Sequence, residues 1–183
     1  MKKLTCAALL LAAATSSQAA PLPDNAELIA MQRADQADRT GDIDWTVLNQ
    51  RDKERRERAA ALLAAGAVRS ARDYYNAAMV FQHGDTPDDY ALAFSLATIA
   101  RQLAPEHPAP KWLHAAAFDR YLVSRNMPQW YGTQSKTYSD GRTELDPVDP
   151  KAVSEEQRVA LGVPRLQDEL ARVAKQNKNL QAK

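Results

Sequence analysis

Cysteine and glycine are scarce in this chain, and neither acidic nor basic residues dominate it. The one cysteine is Cys6, and only six glycines are spread over 183 residues. One cysteine excludes a disulfide scaffold, and so few glycines argue against a sheet-rich fold with many tight turns. Lysine and arginine number 24 against 23 aspartates and glutamates, for a net charge of +1. This balance lacks the excess of basic residues typical of nucleic-acid binders, so we predict no nucleic-acid partner.

The first residues have the layout of a secretory signal peptide. Lys2 and Lys3 precede an apolar run over 4–14, and Ser17-Gln18-Ala19 places small residues before a cleavage site. The apolar run is shorter than the roughly 20 residues that a membrane-spanning helix needs. We therefore expect a signal peptide over 1–19, a periplasmic or secreted protein, and no transmembrane anchor after processing. The processed chain then has no cysteine, and hence no thiol nucleophile.

Capping residues and apolar spacing predict helices along most of the remaining chain. Asp24 or Asn25, Asp44 and Ser70 are suited to begin the first three helices, and Pro87 suits the first turn of the fourth. The predicted helices span about 25–40, 44–66, 70–82, 87–103, 111–126 and 154–161. An amphipathic helix from 163 is expected to end near 174, before a polar tail over 175–183.

Small residues on the fourth helix favour packed helical hairpins. Ala93, Ala97 and Ala100, followed by Pro105, match the second helix of a tetratricopeptide-type unit, although no repeat of this kind extends along the chain. The fourth helix is apolar on two sides, which predicts a central position. Asp140-Gly141 is typical of a two-residue turn and predicts a β-hairpin near 133–148. We therefore expect one mainly α domain over 20–174, a tetratricopeptide-like bundle of helical hairpins with one small β-hairpin.

Two predicted helices carry polar side chains within otherwise apolar stripes. Asp119 lies between Ala116 and Leu122 on the stripe that Trp112 begins, and Arg120 follows it directly. A buried carboxylate is costly unless it is paired and hydrogen-bonded, so we expect a partner close to Asp119. The first helix shows the same feature, because three of its polar residues follow helical spacing: Asp35, Gln36 and Arg39.

Four short motifs together resemble the signature of a bacterial family, the domain of unknown function number 6624. The motifs are Asp35-Gln36 with Arg39, Gln82-His83-Gly84, Asp119-Arg120, and Gln129 with Tyr131-Gly132-Thr133-Gln134. Their order and spacing resemble the family's over about 35–162, and Trp130 adds a bulky ring inside the last motif. The resemblance implies a mainly helical domain with this polar set as its common feature, and it implies no particular activity.

The polar set is open to three interpretations. Histidine exchanges protons near neutral pH, so His83 and Asp119 are candidates for a catalytic acid–base pair. Alternatively, the set lines a ligand pocket without chemistry, or it only stabilises the fold, with Asp119 paired to Arg120 or Arg39. The candidate binding residues are Asp35, Arg39, Gln82, His83, Asp119, Arg120, Gln129, Tyr131 and Gln134.

Neither a metal site nor a cofactor is predicted. His83, His107 and His114 lack the spacing of metal ligands, and the chain has no glycine-rich phosphate loop and no nucleophile-elbow motif. The charged run at 51–58, with Asp52 four residues before Arg56, is interpreted as a solvated helix face.

The function that we favour is a binding or scaffolding protein of a Gram-negative envelope. Its polar pocket would hold an unidentified protein or small molecule, and an immunity-type protein that blocks an incoming toxin is a special case. The alternative is a hydrolase that uses His83 with Asp119 for general acid–base catalysis.

Overall fold

Helices make up most of the chain over residues 22–181, which are the residues that the structure, a computed structural model, describes. The predicted signal peptide at 1–19 lies outside them. No helix within 22–181 is both long enough and apolar enough to cross a membrane. The elements are α1 (Ala26–Ala37), α2 (Trp45–Ala64), α3 (Ala71–Gln82), α4 (Pro87–Leu103), α5 (Pro108–Ser124), β1 (Ser135–Thr137), β2 (Thr143–Leu145), α6 (Glu155–Ala160) and α7 (Leu166–Gln181). The predicted mainly α fold with one small β-hairpin is confirmed.

Side-chain caps begin most of these helices, at the expected residues except for Thr86, which was not singled out from the sequence. The capping oxygens that accept backbone N–H groups belong to Asn25, Asp44, Ser70, Thr86 and Ser154. Such caps satisfy N–H groups that have no partner inside the helix. α5 begins three residues earlier than predicted, because His107 caps it through Nδ1 and Pro108 fits its first turn.

α3, α4 and α5 pack as consecutive helices, with alanines between them. α4 lies between the other two, as its composition predicts. The small side chains allow close approach, and several have no exposed surface: Ala77, Ala78, Ala93, Ala97, Ala100 and Ala117. The second apolar side of α4 is covered only in part among the described residues: Leu96 is buried in the core, whereas Ile99 and Leu103 are 40% and 55% exposed.

The charged run of α2 is not simply a solvated face. Asp52 is only 6% exposed and accepts hydrogen bonds from Arg39, two residues after the end of α1, and from Arg55. The expected partner, Arg56, instead contacts Asp85, which lies just before α4. Tertiary packing therefore decides the partner of Asp52, because the turn after α1 brings Arg39 to it, a contact that spacing within α2 does not reveal.

The β-hairpin forms where it was expected, but with a longer turn. β1 and β2 are antiparallel, with Ser135 opposite Leu145. Tyr138 N donates to Arg142 O (2.8 Å), so three residues close the turn rather than the two predicted. Gly141 ends this turn with a φ of +83°, a conformation that glycine adopts without strain.

The polar tail expected over 175–183 is instead helical as far as Gln181. Asn177 Nδ2 donates to Thr143 O (2.8 Å), and Asn177 Oδ1 accepts from Thr143 N (2.9 Å). Gln176 adds a hydrogen bond to the Thr143 hydroxyl (3.0 Å). These side chains satisfy the outer edge of β2, so the polar end of α7 packs against the hairpin rather than leaving the domain.

Candidate functional site

The Asp119 carboxylate holds the loop at 129–134 in place. Asp119 has no exposed surface. Its Oδ1 accepts from the backbone N–H groups of Trp130 (2.8 Å) and Tyr131 (2.9 Å). Its Oδ2 accepts from the backbone N–H (3.0 Å) and the hydroxyl (2.8 Å) of Thr133. The expected burial and hydrogen bonding of Asp119 are confirmed, but its partners are neutral donors of one loop and not an arginine.

The side chains of Gln129 and Gln134 form hydrogen bonds that hold the same loop together. The Gln129 side chain donates to the backbone oxygens of Gln134 and Asp146, both at 2.8 Å, and accepts from Gln134 N (2.8 Å). The Gln134 amide donates to Ala116 O (3.2 Å) and to the Thr133 hydroxyl (2.9 Å). Both residues are buried, so their hydrogen bonds fix the loop and do not present an amide to a ligand.

Tyr131 points to the C-terminal part of the fold. Its ring is half-buried against Leu161 and Val163, and its backbone oxygen accepts from the buried Arg158. Burial raises the pKa of Tyr131, and the nearby Asp119 charge raises it further. Tyr131 therefore contributes an un-ionised phenol to packing rather than a group to a pocket with His83.

Arg120 connects the loop to the end of α3. Its Nε donates to Gln134 Oε1 (2.9 Å), and its Nη1 donates to Gln82 O (2.7 Å). The guanidinium lies 6.0 Å from the centre of the Tyr90 ring and forms no salt bridge with any residue of 22–181. Burial lowers the pKa of Arg120, and the positive charge of Arg39 lowers it further. Arg120 is thus a largely buried cation whose partners over this range are neutral.

His83 ends α3 and pairs with Asp35. Its Nδ1 donates to Asp35 Oδ1 (3.0 Å), and the buried Asp35 also contacts Arg39 (3.0 Å) and Gln36 (2.7 Å). The predicted pairing of His83 with Asp119 is wrong, because the Asp119 oxygens are bonded to the loop at 130–133 while α1 brings Asp35 to the imidazole. The second nitrogen, His83 Nε2, makes no hydrogen bond with any described residue.

An ionic extension of this pair reaches α2 and was missed in the sequence. Arg39 Nη2 donates to Asp52 Oδ2 (2.7 Å), and Arg55 bonds the other Asp52 oxygen (2.8 Å). Burial of Asp52 has a signal in the sequence, because it shares a helical face with the buried residues Leu48, Ala59 and Leu62. The density of charges at 51–58 concealed that face.

The four sequence motifs therefore meet in one polar network with two parts, in which hydrogen bonds and the peptide bond between Gln82 and His83 connect the members. The first part, which we call the polar junction, contains Asp35, Arg39, Asp52, Gln82, His83 and Arg120. The second part, which we call the loop anchor, contains Asp119, Gln129, Tyr131 and Gln134. Gln134 joins the two through Arg120. The expected single pocket is thus divided, since the loop anchor is bonded within itself.

Neither a metal cluster nor one of the cavities that we detect coincides with the polar junction. Within 22–181, no three His, Cys, Asp or Glu residues converge in a way that could hold a metal ion. A cavity of about 440 Å³ borders Gly141 and α7, and another of about 390 Å³ borders the beginning of α3. Three groups at the junction have no hydrogen-bond partner among the described residues: the His83 Nε2, the third guanidinium nitrogen of Arg120 and the buried Gln82 Oε1.

Comparison with family models, with curated proteins and with solved structures gave no match to this chain. The resemblance of the four motifs to family number 6624 stays a prediction, and a function has to be argued from the geometry.

Proposed function

We propose that the protein is an exported binding module that recognises an anionic group of an envelope partner at the polar junction. The observation that carries this proposal is the largely buried Arg120 guanidinium without a carboxylate partner over 22–181. Burying a charge is unfavourable unless a counter-charge compensates it. An anionic ligand would supply that charge and bond the guanidinium in a fixed geometry.

Comparison with the neighbouring arginines sharpens the argument. Arg39, Arg55 and Arg56 each contact at least one aspartate. Arg120 instead bonds a backbone oxygen and a glutamine oxygen. These neutral acceptors hold the guanidinium in place and leave its positive charge uncompensated, as a binding site for an anion requires.

His83 lies close to Arg120, where its imidazole can bond the same ligand. It follows Gln82, whose backbone oxygen accepts from Arg120. Asp35 holds the imidazole through Nδ1, so the Nε2 edge is available to a ligand. Export rests on the signal peptide predicted at 1–19, and an immunity-type protein that binds an incoming toxin remains a special case of this class.

The proposal is tested with Arg120→Gln and a matched control, Arg125→Gln. Arg125 is exposed at the end of α5, so the control removes the same charge from a surface position. The processed protein would be titrated with sodium phosphate and with sodium acetate while NMR follows the His83 ring and the Arg120 Nε–H. We expect saturable shifts in the unmodified protein and in Arg125→Gln, and about tenfold weaker binding or worse in Arg120→Gln.

A pull-down from envelope extract then connects the site with a partner. Proteins that depend on the site should be retained by the unmodified protein and by Arg125→Gln, and lost with Arg120→Gln. Equal behaviour of the two variants in both assays would contradict the proposal.

A hydrolase remains the second candidate, and the 3.0 Å contact between His83 and Asp35 favours it. An imidazole held by a buried carboxylate is the arrangement of a general base. His83 Nε2 would take a proton from water, the water oxygen would attack a carbonyl carbon, and the leaving oxygen would receive that proton. In this mechanism Asp35 orients the imidazole of His83, which is the role predicted from the sequence for Asp119.

The hydrolase is tested with para-nitrophenyl acetate as the substrate. We expect His83→Ala to lower a hydrolysis rate by about a hundredfold or more if His83 is the general base. His107→Ala, which alters an exposed histidine, is the control. A rate for the unmodified protein that does not exceed that of buffer, or equal rates in both variants, would exclude this activity for activated esters.

A further inference from the structure

A cavity of about 390 Å³ lies at the end of α3 opposite His83, between α1, α3 and the connection from α4 to α5. Its volume is in the range of small-molecule sites, about 300–1,000 Å³. The residues that line it are Gln32, Ala71, Arg72, Tyr75, Asn76, Ala104, His107 and Pro110. None of these residues belongs to the polar junction, so the cavity is independent of the function proposed above.

Asn76 is a buried polar residue without a bonding partner at this cavity. Its side chain is only 3% exposed, and its Nδ2 is buried with no hydrogen-bond partner in the described chain. Buried polar groups are nearly always hydrogen-bonded, because a buried donor without an acceptor destabilises the fold. An apolar side chain would fill this position without that cost, so the carboxamide needs an explanation other than packing.

Three neighbours of Asn76 add hydrogen-bond donors to the cavity wall. Burial raises the pKa of Tyr75, which keeps its hydroxyl proton in place. His107 Nδ1 accepts from Ala109 N (3.2 Å), so the proton of the neutral ring is on Nε2 and makes that atom a donor. Arg72 contributes a positive charge at the mouth of the cavity, where its side chain is 53% exposed.

Negative charge is missing from the residues that line the cavity. The carboxylate of Asp24 lies 3.4 Å from Arg72, but it also accepts from the Ser70 hydroxyl (2.6 Å) and is not part of the lining. Alanine and proline side chains and the Tyr75 ring provide an apolar wall beside the donors. The cavity therefore combines donors, one cation and an apolar surface.

We propose that this cavity binds a small organic carboxylate. The carboxylate pairs with Arg72. Rotation of the Asn76 carboxamide about χ2 turns its buried Nδ2 towards the carboxylate, which provides the acceptor that Nδ2 lacks. The apolar body of the ligand lies against Ala104, Pro110 and the ring of Tyr75. A neutral ligand of the same shape would not form the ion pair with Arg72 and would bind more weakly.

The proposal is tested by titrating the processed protein with sodium 3-phenylpropionate and with the neutral 3-phenylpropan-1-ol. Backbone amide NMR shifts report both the site and the affinity. We expect the acid to shift the amides of Tyr75, Asn76 and His107 in a saturable way and to bind about tenfold more tightly than the alcohol. Equal affinities, shifts that map elsewhere, or no saturation would overturn the proposal.

Arg72→Gln and Arg33→Gln form a matched pair of variants. Arg33 is an exposed arginine of α1 outside the cavity lining, so its substitution changes the net charge equally. We expect about tenfold weaker binding of the acid in Arg72→Gln and no change in Arg33→Gln. The same affinity in both variants would overturn the role of Arg72.

Asn76→Leu separates binding from stability. If the carboxamide is kept for a ligand, this variant unfolds at a higher temperature than the unmodified protein while it binds the acid more weakly. Unchanged binding would overturn the role of Asn76. If Asn76→Leu does not fold, Tyr75→Phe provides the second measurement, because it removes only the hydroxyl, and we then expect several-fold weaker binding.

Discussion

Asp35 and Asp119 are both fully buried, yet they bond to different kinds of partner. Asp119 accepts hydrogen bonds from the backbone and one hydroxyl of a single loop. Asp35 contacts the side chains of His83, Arg39 and Gln36. Backbone donors cannot turn away without moving the loop, whereas side chains can change their conformation. The loop anchor is therefore suited to hold the fold, and the polar junction is suited to bind.

The first prediction concerns Asp119→Asn, for which we expect the largest loss of stability. The variant keeps the size of the side chain but replaces one accepting oxygen by a donor, which faces N–H groups of the loop. Each buried N–H group left without an acceptor costs about 1–3 kcal/mol in the free energy of unfolding, and Oδ1 accepts from two of them. Urea denaturation monitored by circular dichroism measures this loss.

Asp168→Asn is the control for Asp119→Asn. Asp168 is exposed on α7, so we expect a change within about 0.5 kcal/mol. A loss below about 1 kcal/mol for Asp119→Asn would contradict the structural role of the loop anchor.

The second prediction concerns acid and the interior of α5, the helix that carries Asp119. Burial lowers the pKa of His114 from 6.5 to about 4, and the charge of Arg101 adds to this effect. Between these values the unfolded chain binds a proton that the folded chain does not. Stability therefore falls as the pH decreases from 6.5 to 4, by about 3 kcal/mol at most.

Unfolding measured at several pH values checks this expectation. His114→Gln should remove most of this pH dependence, and His107→Gln should leave it unchanged. An undiminished acid effect in His114→Gln would show that other groups, and not the buried His114, cause the loss of stability in acid.

The third and smallest expected effect is the cost of His83→Ala. The imidazole makes one hydrogen bond with a described side chain, and Asp35 keeps its contacts with Arg39 and Gln36 when His83 is removed. We expect a loss of about 1 kcal/mol in thermal or urea unfolding. If His83→Ala destabilises as strongly as Asp119→Asn, the polar junction is structural in the same sense as the loop anchor.

Local features of the fold could be predicted because they depend on neighbouring residues. Ser70 and Ser154 cap helices through groups three residues away, and these contacts follow directly from the order of the residues. The hairpin was placed correctly from Asp140-Gly141, although its turn is longer than expected. The end of α7 could not be predicted, since Asn177 bonds Thr143, which lies far away in the sequence.

The sequence predicted which residues belong to the candidate site, but not which of them bond to one another. The burial of Asp119 follows from its place in an apolar stripe, and the structure confirms it. The identity of its partners does not follow from the sequence. The donors at 130–133 are mainly backbone N–H groups, which a pattern of side chains does not reveal. Asp52 and Tyr90 were missed as neighbours of the site for a related reason, since each reaches it through packing between helices.

The sequence by itself determined the helical class, the helix caps, the position of the hairpin and the need for a partner at Asp119. These properties depend on spacing within a helix or on contacts a few residues apart. Only the tertiary structure decided that His83 pairs with Asp35, that Asp119 bonds a loop and that Arg120 lacks a carboxylate over 22–181. The physical reason is that several carboxylates and arginines are equivalent in composition, and only the packing of α1, α3 and α5 selects which of them lie within hydrogen-bonding distance.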